Sequence, residues 1–104
     1  MGNMSRIINV NLTFRNTEAT DALKSYVNDK ISTCLKKLVH QDTEASVILQ
    51  VEKRRQIAEI SFNADGANFK AAETSDDMYK SIDNLVSSVT EQLRRHKERI
   101  TQHH

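Results

Sequence analysis

From Ser75 to Arg99 the chain runs without glycine or proline, and its apolar residues return at intervals of three and four. Met78, Ile82, Leu85, Val89, Leu93, His96 and Ile100 form one stripe, widened by Tyr79 and Val86. That spacing predicts one long amphipathic helix. Ser75 is the expected N-cap, with Asp76 and Asp77 in the first turn, where carboxylates meet the positive end of the helix dipole. A long helix with one apolar stripe draws its stability from a layer beneath it. The rest of the chain has to supply that layer.

The supply is a set of strands. In residues 7–14, Ile8, Val10, Leu12 and Phe14 alternate with Asn9, Asn11 and Thr13, as in a half-buried strand. Thr20 is the expected cap of a helix of about 19 residues, because Leu23, Tyr26, Val27, Ile31, Cys34, Leu35 and Leu38 recur at helical spacing. Lys36, Lys37 and His40 suit the negative end of its dipole. Residues 45–52 and 57–64 read as two more strands, with Lys53-Arg54-Arg55 as the hairpin tip between them. Asp65-Gly66 is a strong turn signal, and a fourth strand covers 68–74 with Phe69 and Ala71 inward and Lys70 outward.

The order is therefore β-α-β-β-β-α, an α+β fold with a four-stranded mixed sheet. One crossover helix makes the first two strands parallel neighbours, and the next three form a meander. Each helix has a single apolar face, so both pack on one side of the sheet. The opposite face, with Asn9, Asn11, Ile48, Gln50, Glu59, Ser61 and Lys70, is polar enough to meet water.

A length of 104 residues makes one domain, expected over 7–101, with a disordered segment at 1–6 and a flexible tail at 102–104. The one cysteine, Cys34, cannot form an intrachain disulfide and falls on an apolar helix face, which suits a buried thiol and a reducing compartment. No apolar run approaches the ~20 residues that span a membrane, so a cytoplasmic location without membrane contact is expected.

The residue types for catalysis do not converge. Glycine occurs only at positions 2 and 66, so no glycine loop can cradle a phosphate, and Cys and His lack zinc-site spacing. His96, His103 and His104 are better read as a helix-boundary residue and tail residues than as metal ligands. Asp76 and Asp77 are adjacent in sequence and cannot face each other on a helix. The expectation is a protein that is not an enzyme and needs no cofactor or metal.

The cations are more informative. Net charge is only +1, yet residues 92–104 hold four Lys/Arg and a single acid. Arg94, Arg95, Lys97 and Arg99 cluster there, and Lys53, Arg54 and Arg55 cluster at the tip. Lys80 shares the outer helix face with Arg94 and Arg95, and the first helix adds Lys24, Lys30, Lys36 and Lys37. Two readings are open. The cations can bind a phosphate backbone, or they can form solvated faces tied by local pairs such as Glu91 with Arg94 and Arg95. No aromatic residue interleaves with them in sequence, so an RNA contact would be to backbone and shape.

Several short motifs add a resemblance. Val51-Glu52-Lys53, Asp77-Met78-Tyr79 with Ile82-Asp83, Gln92-Leu93 and Arg95-His96-Lys97 occur in order across about Val10 to His103. In these the chain resembles the ribosome hibernation promoting factor family, in its short form, and the related ribosome-associated inhibitor A (sigma-54 modulation proteins). The resemblance implies the same β-α-β-β-β-α fold, similar to a double-stranded-RNA-binding domain with an added first strand. It implies binding to small-subunit ribosomal RNA in the channel for mRNA and tRNA, beside the ribosomal proteins lining it. Translation would be blocked in stationary phase or stress, and a ribosome modulation factor would help to form ribosome dimers. The chain itself is expected to be a monomer when free. Ending at His104, it corresponds to forms without a C-terminal dimerisation domain. The family's RNA contacts would fall on Lys24, Lys53, Arg95, Lys97 and Arg99, within the wider set of Lys30, Arg54, Arg55, Lys80 and Arg94.

The chain also departs from that pattern. Ser88 and Glu91 stand where the family often has Lys and Arg, and Glu73 stands where a small residue is common. Phe14 replaces a common glycine, while Arg54, Arg55 and Lys80 are basic where relatives often are not. Two alternatives stand beside it: a protein-interaction module that dimerises through its sheet, and a general binder of double-stranded RNA off the ribosome.

Overall fold

The computed structural model describes residues 7–101, so the segments 1–6 and 102–104 lie outside the described residues, as do the side chains of Ile100 and Thr101. The elements are β1 (Ile8–Arg15), α1 (Asp21–Leu38), β2 (Thr43–Glu52), β3 (Arg55–Ala64), β4 (Ala67–Ser75) and α2 (Met78–Thr101). The sheet order is β1-β2-β3-β4, with β1 parallel to β2 and the other pairs antiparallel. The expected α+β order and sheet are what the chain forms.

Strand alternation sets the two faces. Val10 pairs with Ala45, Ala45 with Phe62 and Phe62 with Phe69, so one face collects the apolar side chains. Both helices lie on it. Val27, Ile31 and Leu35 of α1 and Ile82, Leu85 and Val89 of α2 are buried against Val47, Leu49, Ala58 and Ile60. Fully burying one such side chain stabilises the fold by about 1.5–3 kcal/mol. The opposite face carries the expected polar residues, but Ile57 also belongs to it, because Ile57 pairs with Gln50 and Glu59 with Ile48.

The turns follow their residues. Asp65 and Gly66 both take positive φ, 52° and 76°, as a two-residue type I′ hairpin turn requires. Asn16, with φ 55°, makes the left-handed bend after β1, a conformation asparagine tolerates, so Phe14 can remain in the strand. Strand β3 begins at Arg55, which leaves Lys53 and Arg54 as the hairpin tip and corrects the three-residue tip expected from sequence. Lys53 is left-handed there, with φ 60°.

The start of α2 also differs from expectation. Thr20 does cap α1, accepting a bond from the Leu23 amide at 3.2 Å. Ser75, however, is the last residue of β4, and Asp77 caps α2: its side chain accepts from the Tyr79 amide at 3.0 Å and its carbonyl from the Ser81 amide at 2.9 Å. Asp76 and Asp77 therefore precede the first turn. Ser75 is paired with Gln56 in the sheet, and this holds it back from the helix. Its hydroxyl lies 2.7 Å from that of buried Ser81, which donates to the Gln56 carbonyl at 2.7 Å.

Two consequences of the topology position the surface. First, the helices run side by side in the same direction: Tyr26 meets Asp83, and farther along Cys34 meets Thr90. Second, the domain has two distinct ends. The Lys53-Arg54 tip and both helix N-termini lie at one end, and the Asp65-Gly66 turn, the end of α1 and the basic end of α2 lie at the other.

Candidate nucleic-acid interface

The helix layer carries most of the expected cations, and α1 and α2 meet along a groove. Tyr26 and Asp83 close one end of it: the Tyr26 hydroxyl donates to the Asp83 carboxylate at 2.6 Å. That bond raises the Tyr26 hydroxyl above its ordinary pKa, because the phenolate would face a carboxylate. The Tyr79 ring meets Tyr26 edge-on at 4.9 Å, and the Lys30 ammonium stands 5.4 Å above the Tyr26 ring centre. Tyr79, expected in the core with its hydroxyl at the boundary, is 39 % exposed; its position at the margin of the stripe faces α1 rather than the sheet. An aromatic pair thus does stand beside a cation, although sequence spacing hid it.

Farther along, the groove has a volume of about 540 Å³ and is lined by Lys30, Lys37 and Arg94 with Asp29, Thr33 and Thr90. Cys34, Leu38 and Val86 supply its apolar part. The Thr90 hydroxyl donates to the Val86 carbonyl at 2.8 Å and lies 3.4 Å from the Cys34 sulfur. Burial pushes the Cys34 thiol up, against the smaller opposing effects of Thr90 and Lys37. This is the expected buried cysteine.

The other expected cations are exposed but do not share one surface. Lys53 and Arg54 stand at the hairpin end, and Lys80 is in the first turn of α2 at that same end. Arg94, Arg95, Lys97 and Arg99 stand at the far end. Between Lys80 and Arg99 the helix axis advances about 28 Å. Lys24 lies on the opposite flank of α1, in a shallow groove beside Val10, Leu12 and Phe14 of β1. Arg55 pairs with Glu52 at 2.6 Å and Arg95 with Glu91 at 3.0 Å. Both pairs are exposed, so each is worth only roughly 0–1 kcal/mol and leaves its arginine recruitable. Lys37 is the residue that sequence reasoning left out of the site. It had a sufficient local explanation as a cation at a helix C-terminus, and only the parallel packing of α2 brings Arg94 to the same groove.

The β4 side of α2 is used differently. Ser88 donates to Glu73 at 2.6 Å, and the Gln92 amide donates to the Lys70 carbonyl at 2.9 Å. One flank of α2 is thereby tied to an edge strand, while the other opens onto the groove. His96 packs edge-on against Phe69 at 5.3 Å. Among the described residues no group of three or more His, Cys, Asp or Glu is placed to hold a metal, and no helix is long and apolar enough to cross a membrane. His103 and His104 lie outside the described residues.

These features define a class: a small α+β domain with two parallel helices on one sheet face and a charged helix surface. Residues 10–101 match the model of the Sigma 54 modulation protein / S30EA ribosomal protein family, and the chain belongs to that family, whose members are ribosome-associated and non-enzymatic. It is similar to the ribosome hibernation promoting factor of Klebsiella oxytoca, 33% identical over 94 residues that cover 90% of this chain and 98% of the relative. The Azotobacter vinelandii ribosome hibernation promoting factor is 38% identical over 90 residues, 86% of this chain and 83% of that protein. Among solved structures, the N-terminal domain of Thermus thermophilus Protein Y superposes with a TM-score of 0.78 at 29% identity, covering 85% of this chain and 98% of that one.

Proposed function

We propose that this chain is a cytoplasmic ribosome hibernation factor that binds the small subunit in the channel for mRNA and tRNA. Occupying that channel excludes both by steric overlap and stops translation in stationary phase or stress. Together with a partner modulation factor, the bound state favours ribosome dimers. The observation that carries this reading is the family match, which runs from residue 10 to residue 101 and so spans both helices and every cation of the helix surface. The names of the relatives support the ribosomal target. No chemistry is needed. Lys and Arg side chains neutralise phosphates and release counterions, which makes affinity fall steeply with salt.

Co-sedimentation with purified small subunits tests it, with mRNA and initiator tRNA as competitors. The expected result is binding that the competitors displace. Changing Arg95, Lys97 and Arg99 together to Glu should abolish it at low salt while the melting temperature stays near that of the parent. Undiminished binding of the triple variant, or binding indifferent to tRNA and mRNA, overturns the reading.

A further inference from the structure

We propose that the groove between α1 and α2 captures one unpaired nucleotide of an RNA strand, its phosphate on Lys30, Lys37 and Arg94 and its nucleoside against Val86 and Leu38. The inference rests on the RNA-binding reading above and changes its character, from contact with backbone alone to a nucleotide subsite.

Composition is the first reason. Three cations from two helices line one groove. A bare phosphate site would be complete with these. This groove also has an apolar part, Val86 and Leu38, which a phosphate cannot use and a sugar or base face can. It further carries Asp29, which would weaken a site for phosphate alone. A carboxylate accepts hydrogen bonds, and a ribose hydroxyl or an exocyclic amine supplies the donor.

Size and organisation are the second reason. The volume of about 540 Å³ falls within the roughly 300–1,000 Å³ of small-ligand sites. Lys30 is held over the Tyr26 ring, and Tyr26 is fixed by Asp83, so one wall is ordered before anything binds. The Thr90 hydroxyl is occupied by the Val86 carbonyl, which fixes the floor. A paired base has its edge and both faces engaged within its helix, so the occupant that fits is an unpaired one.

The test uses the whole chain with three probes: single-stranded hexauridylate, a short RNA duplex and uridine monophosphate. Amide NMR shifts locate binding, and sedimentation with small subunits is run in parallel. Hexauridylate should move the amides of Thr33, Lys37, Thr90 and Arg94 saturably. Lys37→Gln should weaken that binding by about fivefold or more, whereas Lys70→Gln, a lost cation on the opposite sheet face, should change it by less than about twofold. Both variants should melt with the parent. The proposal is overturned if the groove amides stay still, if the two variants weaken binding equally, or if the duplex binds with the same Lys37 dependence. Monophosphate binding as tight as the hexamer also overturns it, because the occupant would then be a free nucleotide. A parent chain that sediments with subunits while its groove is silent refutes this proposal alone; a chain that does not sediment refutes the ribosomal reading.

Discussion

Ser88 donates a 2.6 Å hydrogen bond to Glu73, and this joins α2 to the edge strand β4. Seen singly, each residue looks out of place: a small hydroxyl on a helix flank and a carboxylate on the inward row of an edge strand. Together they are one half-buried contact that secures α2 to β4. The flank of α2 that carries it is committed to the fold, which leaves the proposed RNA contact to the groove flank and the basic end.

Ser88→Ala should therefore cost stability rather than binding. A hydrogen bond to a charged group contributes about 1.5–3 kcal/mol, and its loss leaves Glu73 short of a donor. Denaturant unfolding should show a loss of that order, while co-sedimentation with small subunits at a temperature where the variant is folded should match the parent.

Lys53 carries both a charge and a left-handed backbone, with φ 60°. A left-handed L-residue other than Gly, Asn or Asp costs roughly 1–2 kcal/mol. Lys53→Asn should raise the denaturant midpoint by the equivalent of about 0.5–1 kcal/mol and lower small-subunit affinity at the same time. Opposite signs in the two measurements would identify strain kept for the sake of a cation.

The bond between Tyr26 and Asp83 makes a prediction in alkali. The hydroxyl's folded pKa is raised above 10.0, so the neutral form is favoured in the fold. The stability it contributes is fully present below 10.0 and is lost as pH rises through the raised value. Phenolate absorbance, taken as the difference between the chain and Tyr26→Phe, should show late ionisation. Asp83→Asn should move that titration back toward 10.0.

Cys34 is 7% exposed and its thiol is pushed up by burial. Reaction with a disulfide reagent should be slow in the folded chain and fast in denaturant, since the thiolate is the nucleophile. Modification of the folded chain as fast as in denaturant would contradict the packing between Cys34 and Thr90.

The strands, both helices and their order were legible because periods of two and of three to four are local. The cap of α2 was not. Ser75 and Asp77 are both cap-forming residues two positions apart, and the choice was made by Gln56, which holds Ser75 in the sheet. Tyr79 sits at the margin of the apolar stripe, so its exposure depended on whether the sheet or α1 met it. The site was legible as residue types and not as an arrangement. Sequence spacing cannot show that Lys37 and Arg94 share a groove, or that Lys53 and Arg99 occupy opposite ends. Those facts follow from strand direction and helix packing, which the chain settles only at long range.

The separation of the two basic ends has a consequence for selectivity. A rigid body with cations about 28 Å or more apart acts as a caliper. A single phosphate track crossing one end leaves the other end's charges facing water, and a flexible polyanion loses entropy in reaching both. Only a target whose own phosphates are held at that spacing satisfies both ends at once, and it gains from the second contact as an intramolecular event. Discrimination among RNAs can then come from how far apart two backbones stand, with no base being read.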